Sequence, residues 1–418
     1  MGDKKNYFSS IKNIGYLINR YFIKSVKYCF AWLVVVPISF FTPKKNILFI
    51  GRDNGRFIDN TKYLLLYALD RDEYLGKKYF LTEDKNTFNN LISEDIPAIF
   101  YPSFESFFIM LTTKVVVVDS ERWIGRIKYH YLFNALKIQL WHAVPTKQIG
   151  LIKKNSLIKE GEYPLIKRIL DKIKGAYCKY DVFNSTSKNL ISTTFSEAFD
   201  ADRFISFGYP RNDVLFSNGN EKYMISTDQC SIGKIISNKY NNLRLVLYAP
   251  TFRKHKRETY PPLNTLKLSD FCKENNIFFL IKHHYRPDSI AKFGEQDLSS
   301  IIYYDNECDI YPILSNIDLI ITDYSSIYID TLLINKKVIF FPYDIEEYYI
   351  DSNDRLDYLE KTPGPKCFHQ YELHEEIINM LNTSTDNYSQ KRIFMKNKSF
   401  DETSSGASER LWSYICNL

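Results

Sequence analysis

The sequence has few of the residues that mark disulfide frameworks, metal sites or the common nucleotide-binding loops. Its seven cysteines are scattered over 418 residues without a C-x-x-C pair, so we expect reduced thiols and no zinc site. None of its 15 glycines is spaced as G-x-x-x-x-G-K-S/T or G-x-G-x-x-G, which excludes a P-loop and the dinucleotide fingerprint. No carboxylates cluster with metal-ligand spacing, so we expect neither a metal nor another cofactor.

The longest apolar stretch, from Tyr28 to Phe41, is too short for a transmembrane helix. Such a helix needs about 20 apolar residues, and Pro37 interrupts this stretch. Residues 1–27 carry five lysines and one arginine against Asp3 alone, beside apolar residues at helical spacing. A basic amphipathic helix followed by a short apolar wedge predicts in-plane attachment to an anionic membrane surface. The alternative is a helix that packs on the protein's own body.

The charge of the chain is mildly basic and not concentrated in one run. The net charge is +6, which suits an anionic partner but lacks the clustered excess of a nucleic-acid binder. We therefore expect no nucleic-acid partner. With 45% hydrophobic residues in 418, the chain is long and apolar enough for two domains. The oligomeric state is not predicted.

Strand-like and helical segments alternate along the chain, which predicts an α/β fold with parallel sheets. The first set of strand-like segments is 46–50, 77–81, 98–101, 115–119, 138–141, 181–184 and 203–206. The second set is 243–248, 277–281, 317–321 and 338–341. We divide the chain into a membrane-associating segment 1–43, a first domain 44–206, a second domain 207–395 and a closing helical segment 396–418.

The sequence Thr322-Asp323-Tyr324-Ser325-Ser326 places polar groups where a strand ends and a helix begins. In an open parallel sheet, ligands bind beyond the carboxyl ends of the strands. The free N–H groups of a helix start favour an anion. Ser325 and Ser326 are therefore candidate phosphate ligands. The alternative is plain helix capping by Asp323 or Ser325.

Other predicted strands also end in polar residues. His142 follows strand 138–141, where a histidine could serve as a general base near neutral pH, although most loop histidines are structural. Arg253 could bind a phosphate bidentately or form a surface salt bridge. Lys282-His283-His284 offers further cations or donors, and Arg211 lies in a tight turn. Together these strand ends indicate a cleft between two domains.

Six ordered segments resemble the CDP-glycerol glycerophosphotransferase family, which comprises teichoic acid primases, polymerases and related capsule enzymes. They are WHAVPTK, FGYPRNDVL, LYAPTFR, KHHY, ITDYSS followed by Asp330, and the late Pro363-Gly364-Pro365. NILFIGRDNGRFIDNTKYL is similar to the family's first strand and turn, so the resemblance covers about residues 46–370. Ala143 stands where the family usually has glycine, and spacing favours His284 over His283 as the family's histidine.

The resemblance implies a GT-B architecture, in which two Rossmann-like domains face a cleft. The domain 44–206 would bind the acceptor, and 207–395 the donor nucleotide. An acceptor hydroxyl, lipid-linked or on a polymer, would attack the β-phosphate of CDP-glycerol or a related CDP-alditol and release CMP. The family also implies peripheral attachment to the cytoplasmic face of the bacterial cell membrane.

The same resemblance implies roles for individual residues. His142 would be the general base, and His284, Arg253, Ser325 and Ser326 would hold the donor pyrophosphate. Arg211 would add charge at the cleft, and Asp323 would fix the loop or contact the ribose. Two other classes stay open: a GT-B sugar-nucleotide glycosyltransferase, and a non-catalytic membrane-associated protein that binds anionic polymers.

Overall fold

The computed structural model describes residues 26–74, 76–217, 242–251, 263–282, 299–304, 308–348 and 354–418. Within these ranges the chain forms two β-sheets, each built of parallel strands and flanked by helices. The expected α/β fold with parallel sheets is confirmed. We call the part around the first sheet the first lobe and the part around the second sheet the second lobe.

The first sheet has seven strands in the described residues, in the order β3-β2-β1-β4-β5-β6-β7. Its centre is β4, where Val115 to Val118 are fully buried, as expected for a strand covered on both faces. The strand order reverses between β1 and β4, and ligands bind at such switch points. The strands are β1 Asn46–Ile50, β2 Lys78–Thr82, β3 Ala98–Phe100, β4 Thr113–Val118, β5 Leu136–Gln139, β6 Tyr180–Asn184 and β7 Ala201–Ile205.

The second sheet has five strands in the described residues, in the order β10-β9-β8-β11-β12. Its switch point lies between β8 and β11, so β11 directs Thr322 and the polar turn after it toward the cleft. The short strand β10 was not predicted from the sequence. The strands are β8 Arg244–Ala249, β9 Ile277–Ile281, β10 Ile301–Tyr303, β11 Leu319–Thr322 and β12 Lys337–Phe340.

Helices cover both sheets. The α-helices of the first lobe are Val36–Phe41, Asp59–Leu69, Lys85–Ser93, Phe104–Leu111, Lys128–Tyr131, Gly150–Lys159, Leu165–Ile173, Lys188–Leu190 and Ser196–Ala198, and Arg52–Gly55 is an irregular helical turn. Those that follow are Thr265–Glu274, Ile327–Thr331, Ile345–Tyr348, Asp354–Lys361, Gln370–Asn382, Ser389–Ser399 and Ala407–Cys416. Shorter 3-10 segments are Glu121–Ile124, Pro210–Phe216, Tyr311–Asn316 and Leu332–Ile334, and π-helical turns are Ala31–Val35 and Ile191–Phe195.

The last helix, Ala407–Cys416, lies within the segment 396–418 expected to close the chain, and it returns to the first lobe. Leu411, Trp412 and Ile415 are buried in the same apolar cluster as β1 and helix Asp59–Leu69. The indole N–H of Trp412 also donates to Glu73, over 2.8 Å. The chain therefore passes from the first lobe to the second and ends on the first.

Residues 26–41 form a helix that packs on the first lobe with one face and exposes the other. Trp32 donates to the carbonyl of Ile173 over 3.0 Å and contacts the His130 ring. On the opposite face, Leu33 is 77% exposed and Phe41 is 89% exposed. In the described part of the chain, no helix combines the length and the apolar character needed to cross a membrane.

Candidate active site

A cavity of about 390 Å³ lies between the two lobes, at the carboxyl ends of strands from both sheets. The first lobe contributes Arg52, Asp59 and His142 to its lining, and the second contributes Ser325 and Ser326. The structure thus brings the candidate base and the two candidate phosphate ligands to one cavity. Arg211, from the segment that joins the lobes, lines it as well.

His142 lies in the loop after β5, with its ring orientation fixed by one contact. Its Nδ1 lies 2.5 Å from the backbone carbonyl oxygen of Asp119, at the end of β4. A carbonyl only accepts hydrogen bonds, so Nδ1 carries the proton and Nε2 keeps its lone pair. Burial, and then the positive charge of Arg52, lowers the pKa of His142 from 6.5 to about 4. The imidazole is therefore neutral at physiological pH.

Ser325 and Ser326 are half-buried in the turn between β11 and helix Ile327–Thr331. Ser326 occupies the N-cap position but makes no side-chain capping hydrogen bond. The hydroxyl of Ser325 accepts from the N–H of Ile327 at 3.5 Å, a long contact. Capping therefore accounts poorly for these two serines. Their role as phosphate ligands stays a prediction that their position in the cavity supports.

Asp323 is fully buried and holds two loops together. Its carboxylate accepts from the backbone N–H groups of Thr251 and Tyr324, over 2.8 Å and 2.5 Å. These contacts join the loop after β8 to the loop after β11. Of the two roles expected for Asp323, loop fixing agrees with this geometry, whereas Asp323 does not line the inter-lobe cavity.

Arg211 is buried, and its guanidinium connects the lobes. It contacts the carboxylate of Asp59 in the first lobe and that of Asp330 in the second, the latter over 2.5 Å. It also donates to the carbonyl of His142 over 2.5 Å. Arg211 was expected to add charge at the cleft, and it lines the inter-lobe cavity, where these partners also fix its guanidinium next to the candidate base.

Arg253 and His284 lie outside the described residues, so their predicted roles stay predictions. Lys282, just before the histidine motif, is described and lines the cavity. Its ammonium donates to the carbonyl of Cys308 over 2.8 Å, which holds the cation at the donor side. Among the described residues, no three His, Cys, Asp or Glu side chains are grouped so as to hold a metal ion.

Sequence reasoning missed Arg52 and Asp59 as parts of the site. Arg52 Nε lies 3.4 Å from the Asp59 carboxylate. Burial alone would raise the pKa of Asp59, but the charges of Arg211 and Arg52 outweigh it and lower that pKa. The signal that could have found them is the polar run GRDNGRFIDN directly after β1, since β1 borders the switch point of the sheet.

The model of the family described as CDP-Glycerol:Poly(glycerophosphate) glycerophosphotransferase matches residues 34–417. This chain belongs to that family. The resemblance drawn from the six motifs is confirmed, and so is the expected enzyme class, a glycerophosphotransferase.

Relatives of this glycerophosphotransferase include enzymes named for two different alditols. The teichoic acid glycerol-phosphate primase of Bacillus subtilis (strain 168) is 24% identical over 95% of this chain and 96% of the primase. The teichoic acid poly(ribitol-phosphate) polymerase of Bacillus spizizenii is 26% identical over 85% of this chain, which spans only 54% of that polymerase. A solved structure of the wall teichoic acid polymerase TagF shares the fold, with a TM-score of 0.69 at 20% identity, over 98% of this chain and 97% of that one.

Proposed function

We propose that this glycerophosphotransferase transfers glycerol phosphate from CDP-glycerol to a hydroxyl of a lipid-linked or polymer acceptor and releases CMP. The reaction would serve teichoic acid or capsule-type polymer synthesis. One observation carries the proposal: His142 of the first lobe and Ser325 and Ser326 of the second line the same cavity. Family membership supports the reaction class. Similarity to a glycerol-phosphate primase over nearly the full length of both chains supports glycerol as the alditol.

His142 acts as the general base in this proposal. The acceptor hydroxyl gives its proton to Nε2, which the Nδ1 contact with Asp119 leaves unprotonated. The acceptor oxygen then forms a bond to the β-phosphorus of the donor. The bond from that phosphorus to the bridging oxygen breaks, and CMP leaves with its electron pair. A base of this kind contributes about 10²–10⁴-fold to the rate.

Ser325, Ser326 and Lys282 hold the donor diphosphate from the second lobe. Their hydroxyl and ammonium groups donate to phosphate oxygens and neutralise the charge that develops during transfer. Helix Ile327–Thr331 has five residues, so its dipole adds little and the side chains supply most of the binding. By family resemblance Arg253 and His284 join them. The proposal includes no metal or cofactor.

The donor and acceptor classes can be separated by the nucleotide released. Purified protein is incubated with CDP-glycerol, CDP-ribitol or a UDP-sugar, together with lipid-linked acceptors, and the products are analysed by mass spectrometry. We expect CMP and an acceptor heavier by one or more glycerol phosphate units. Release of a nucleoside diphosphate from a sugar donor would indicate a glycosyltransferase instead, and no turnover with any donor would contradict catalysis.

We further propose peripheral attachment to an anionic membrane surface on the cytoplasmic face. The exposed apolar face of helix 26–41 supports it, with Leu33, Phe40 and Phe41 facing away from the body. A helix that buries one face on its own protein and offers the other to lipid suits in-plane association. The basic amphipathic helix predicted within residues 1–27 lies almost entirely outside the described residues, so that part of the proposal stays a prediction.

A further inference from the structure

A second cavity, of about 580 Å³, lies wholly within the first lobe beside the inter-lobe cavity. The two cavities have three lining residues in common, Arg52, Asp53 and Arg56. A ligand that fills the second cavity can therefore reach the side chains that surround His142. The residues assigned to the donor all belong to the second lobe, so the proposed mechanism leaves this cavity unused.

The lining of this cavity is rich in positive charge. It includes five basic residues against three acidic ones. Two of the acidic charges are already neutralised by basic residues of the same lining. Glu83 pairs with buried Lys128, and Asp53 lies beside Arg52. The excess charge favours an anionic ligand over a neutral one.

Two arginines at the rim are available to a ligand at little cost. Arg122 is 84% exposed and lies 3.9 Å from Asp53, and Arg126 is 61% exposed and lies 3.1 Å from Glu83. The Arg122–Asp53 pair is largely exposed and contributes little to stability, and Arg126 keeps most of its own side chain in solvent although Glu83 is only 8% exposed. A phosphate group can therefore displace the carboxylates or share the guanidinium groups, which suit its oxygens bidentately.

The floor between the two cavities is a backbone turn in an unfavourable conformation, which the packing around it stabilises. Asp53, Asn54 and Gly55 all have positive φ, at 50°, 68° and 82°. A Cβ at Gly55 would lie 2.5 Å from the carbonyl oxygen of Leu81, so the turn is pressed against β2. Left-handed backbone at non-glycine residues is costly, and it often occurs where a site requires it. Here the turn places Arg52 and Arg56 in the lining of both cavities.

We propose that this second cavity binds a phosphate group of the acceptor, and so holds the acceptor hydroxyl at His142. The inference rests on the proposed function, because it assumes that the acceptor carries phosphodiester or diphosphate groups. Arg122 and Arg126 contact the phosphate at the rim, and Arg56 contacts it nearer the base. The ligand class is an organic phosphate ester, bound through its charge and not through a metal.

The test compares two acceptors in transfer assays with CDP-glycerol. One is a lipid-tailed glycerol phosphate with a free hydroxyl, and the other is the same lipid-tailed glycerol without the phosphate. Variants Arg122→Ala and Arg126→Ala are measured beside the wild type. Arg203→Ala serves as the matched control, because Arg203 is an exposed arginine of the same lobe, outside both cavities.

We expect each cavity variant to raise the KM for the phosphate-bearing acceptor about tenfold, the typical effect of losing one charged hydrogen bond. The KM for CDP-glycerol and the kcat at saturating acceptor stay within about twofold. The preference of the wild type for the phosphate-bearing acceptor shrinks by the same factor, and Arg122→Lys keeps part of it.

Three outcomes would overturn the proposal: an unchanged acceptor KM, an equal rise for both acceptors, or an equal rise in Arg203→Ala. If the wild type turns over CDP-glycerol and the variants match it, the phosphate site in the second cavity is refuted and the proposed function is not. A wild type that releases no CMP refutes the proposed function instead. Because Arg122 and Arg126 are exposed, thermal unfolding of the variants should match the wild type.

Discussion

At the scale of single residues, the protonation state of His142 decides how the proposed reaction responds to pH. The ring is neutral because burial and Arg52 hold its pKa near 4, and the Asp119 carbonyl fixes which nitrogen is unprotonated. The group is a base over the whole physiological range. Its weak basicity is offset by its position, since His142 lines the cavity in which the proposal places the acceptor.

The first prediction concerns the pH profile of kcat/KM. A base is active when deprotonated, so activity is lost as pH falls through its pKa. With a His142 pKa of about 4, kcat/KM for the acceptor should be flat from about pH 7 to about pH 5 and fall below that. The measurement is initial CMP release at constant ionic strength, with circular dichroism to verify folding. Half-loss of activity near pH 6.5, the usual histidine value, would contradict it.

The second prediction separates two buried carboxyl groups next to His142. Burial raises the pKa of Asp119, and the negative charge of Asp59 raises it further, so Asp119 is held protonated. Asp119→Asn should therefore change the free energy of unfolding by less than about 1 kcal/mol. Asp59→Asn removes one of the two carboxylate partners of buried Arg211 and should cost about 3–5 kcal/mol.

Urea unfolding of both variants checks this pair of expectations. Asp59 contacts the cations Arg52 and Arg211, whereas Asp119 accepts from the neutral hydroxyl of Thr61, so the comparison of the two variants isolates the effect of losing an ion pair. Equal losses of stability in the two variants would show that Asp119 is also ionised in the folded protein.

At the scale of elements, the sequence predicted most strands because they are continuous apolar runs. The runs 46–50 and 277–281 match β1 and β9, and their burial on both faces leaves a strong signal. The strand β10 was missed because Ile301–Tyr303 has only three residues, too few to show a period; the equally short β3 was predicted only as part of the apolar run 98–101. Ser325 and His142 could be predicted to lie at one cavity because they follow strands.

The third prediction concerns helix 26–41, whose two faces have different tasks. Leu33→Ser with Phe41→Ser removes exposed apolar surface and should lower binding to anionic vesicles while thermal unfolding stays unchanged. Trp32→Ala is the contrast, because Trp32 packs on His130 and donates to Ile173. It should lower the unfolding temperature.

Vesicle flotation at fixed lipid composition measures this binding. Undiminished flotation of the Leu33/Phe41 double variant would refute a lipid contact for this face. A loss of folding in that variant would show instead that the face packs on protein.

At the scale of the whole molecule, the two lobes are joined by buried polar contacts that local patterns could not predict. Lys62 and Tyr63 of the first lobe both donate to Asp309 of the second, over 3.2 Å and 2.7 Å. Arg211 adds its contacts to Asp59 and Asp330. Such pairs depend on how the two lobes pack against each other, and hydrophobic periodicity in the sequence gives no information about that packing. They also hold the cleft at the width that brings His142 toward the donor side.

The fourth prediction tests this buried connection. Lys62→Met removes the cation of the buried Lys62–Asp309 ion pair and should lower the free energy of unfolding by about 3–5 kcal/mol. The exposed pair Lys361–Asp357 is the matched control, and Lys361→Met should cost less than about 1 kcal/mol. Adding Asp309→Asn to Lys62→Met should cost less than the sum of the two single changes. Strict additivity would show that the two residues do not interact.

The most direct test of the account is the rate of CMP release from CDP-glycerol, in the presence of acceptor, by the wild type and by His142→Ala. Donor affinity is measured on the same preparations by calorimetry. If the first lobe supplies the base and the second holds the donor, the rate falls by about 10²–10⁴ while the donor Kd stays within about twofold. An unchanged rate would contradict the assignment of the base to the first lobe. A weaker donor affinity, with the same rate per bound donor, would show that His142 binds the donor and would contradict the separate roles of the two lobes.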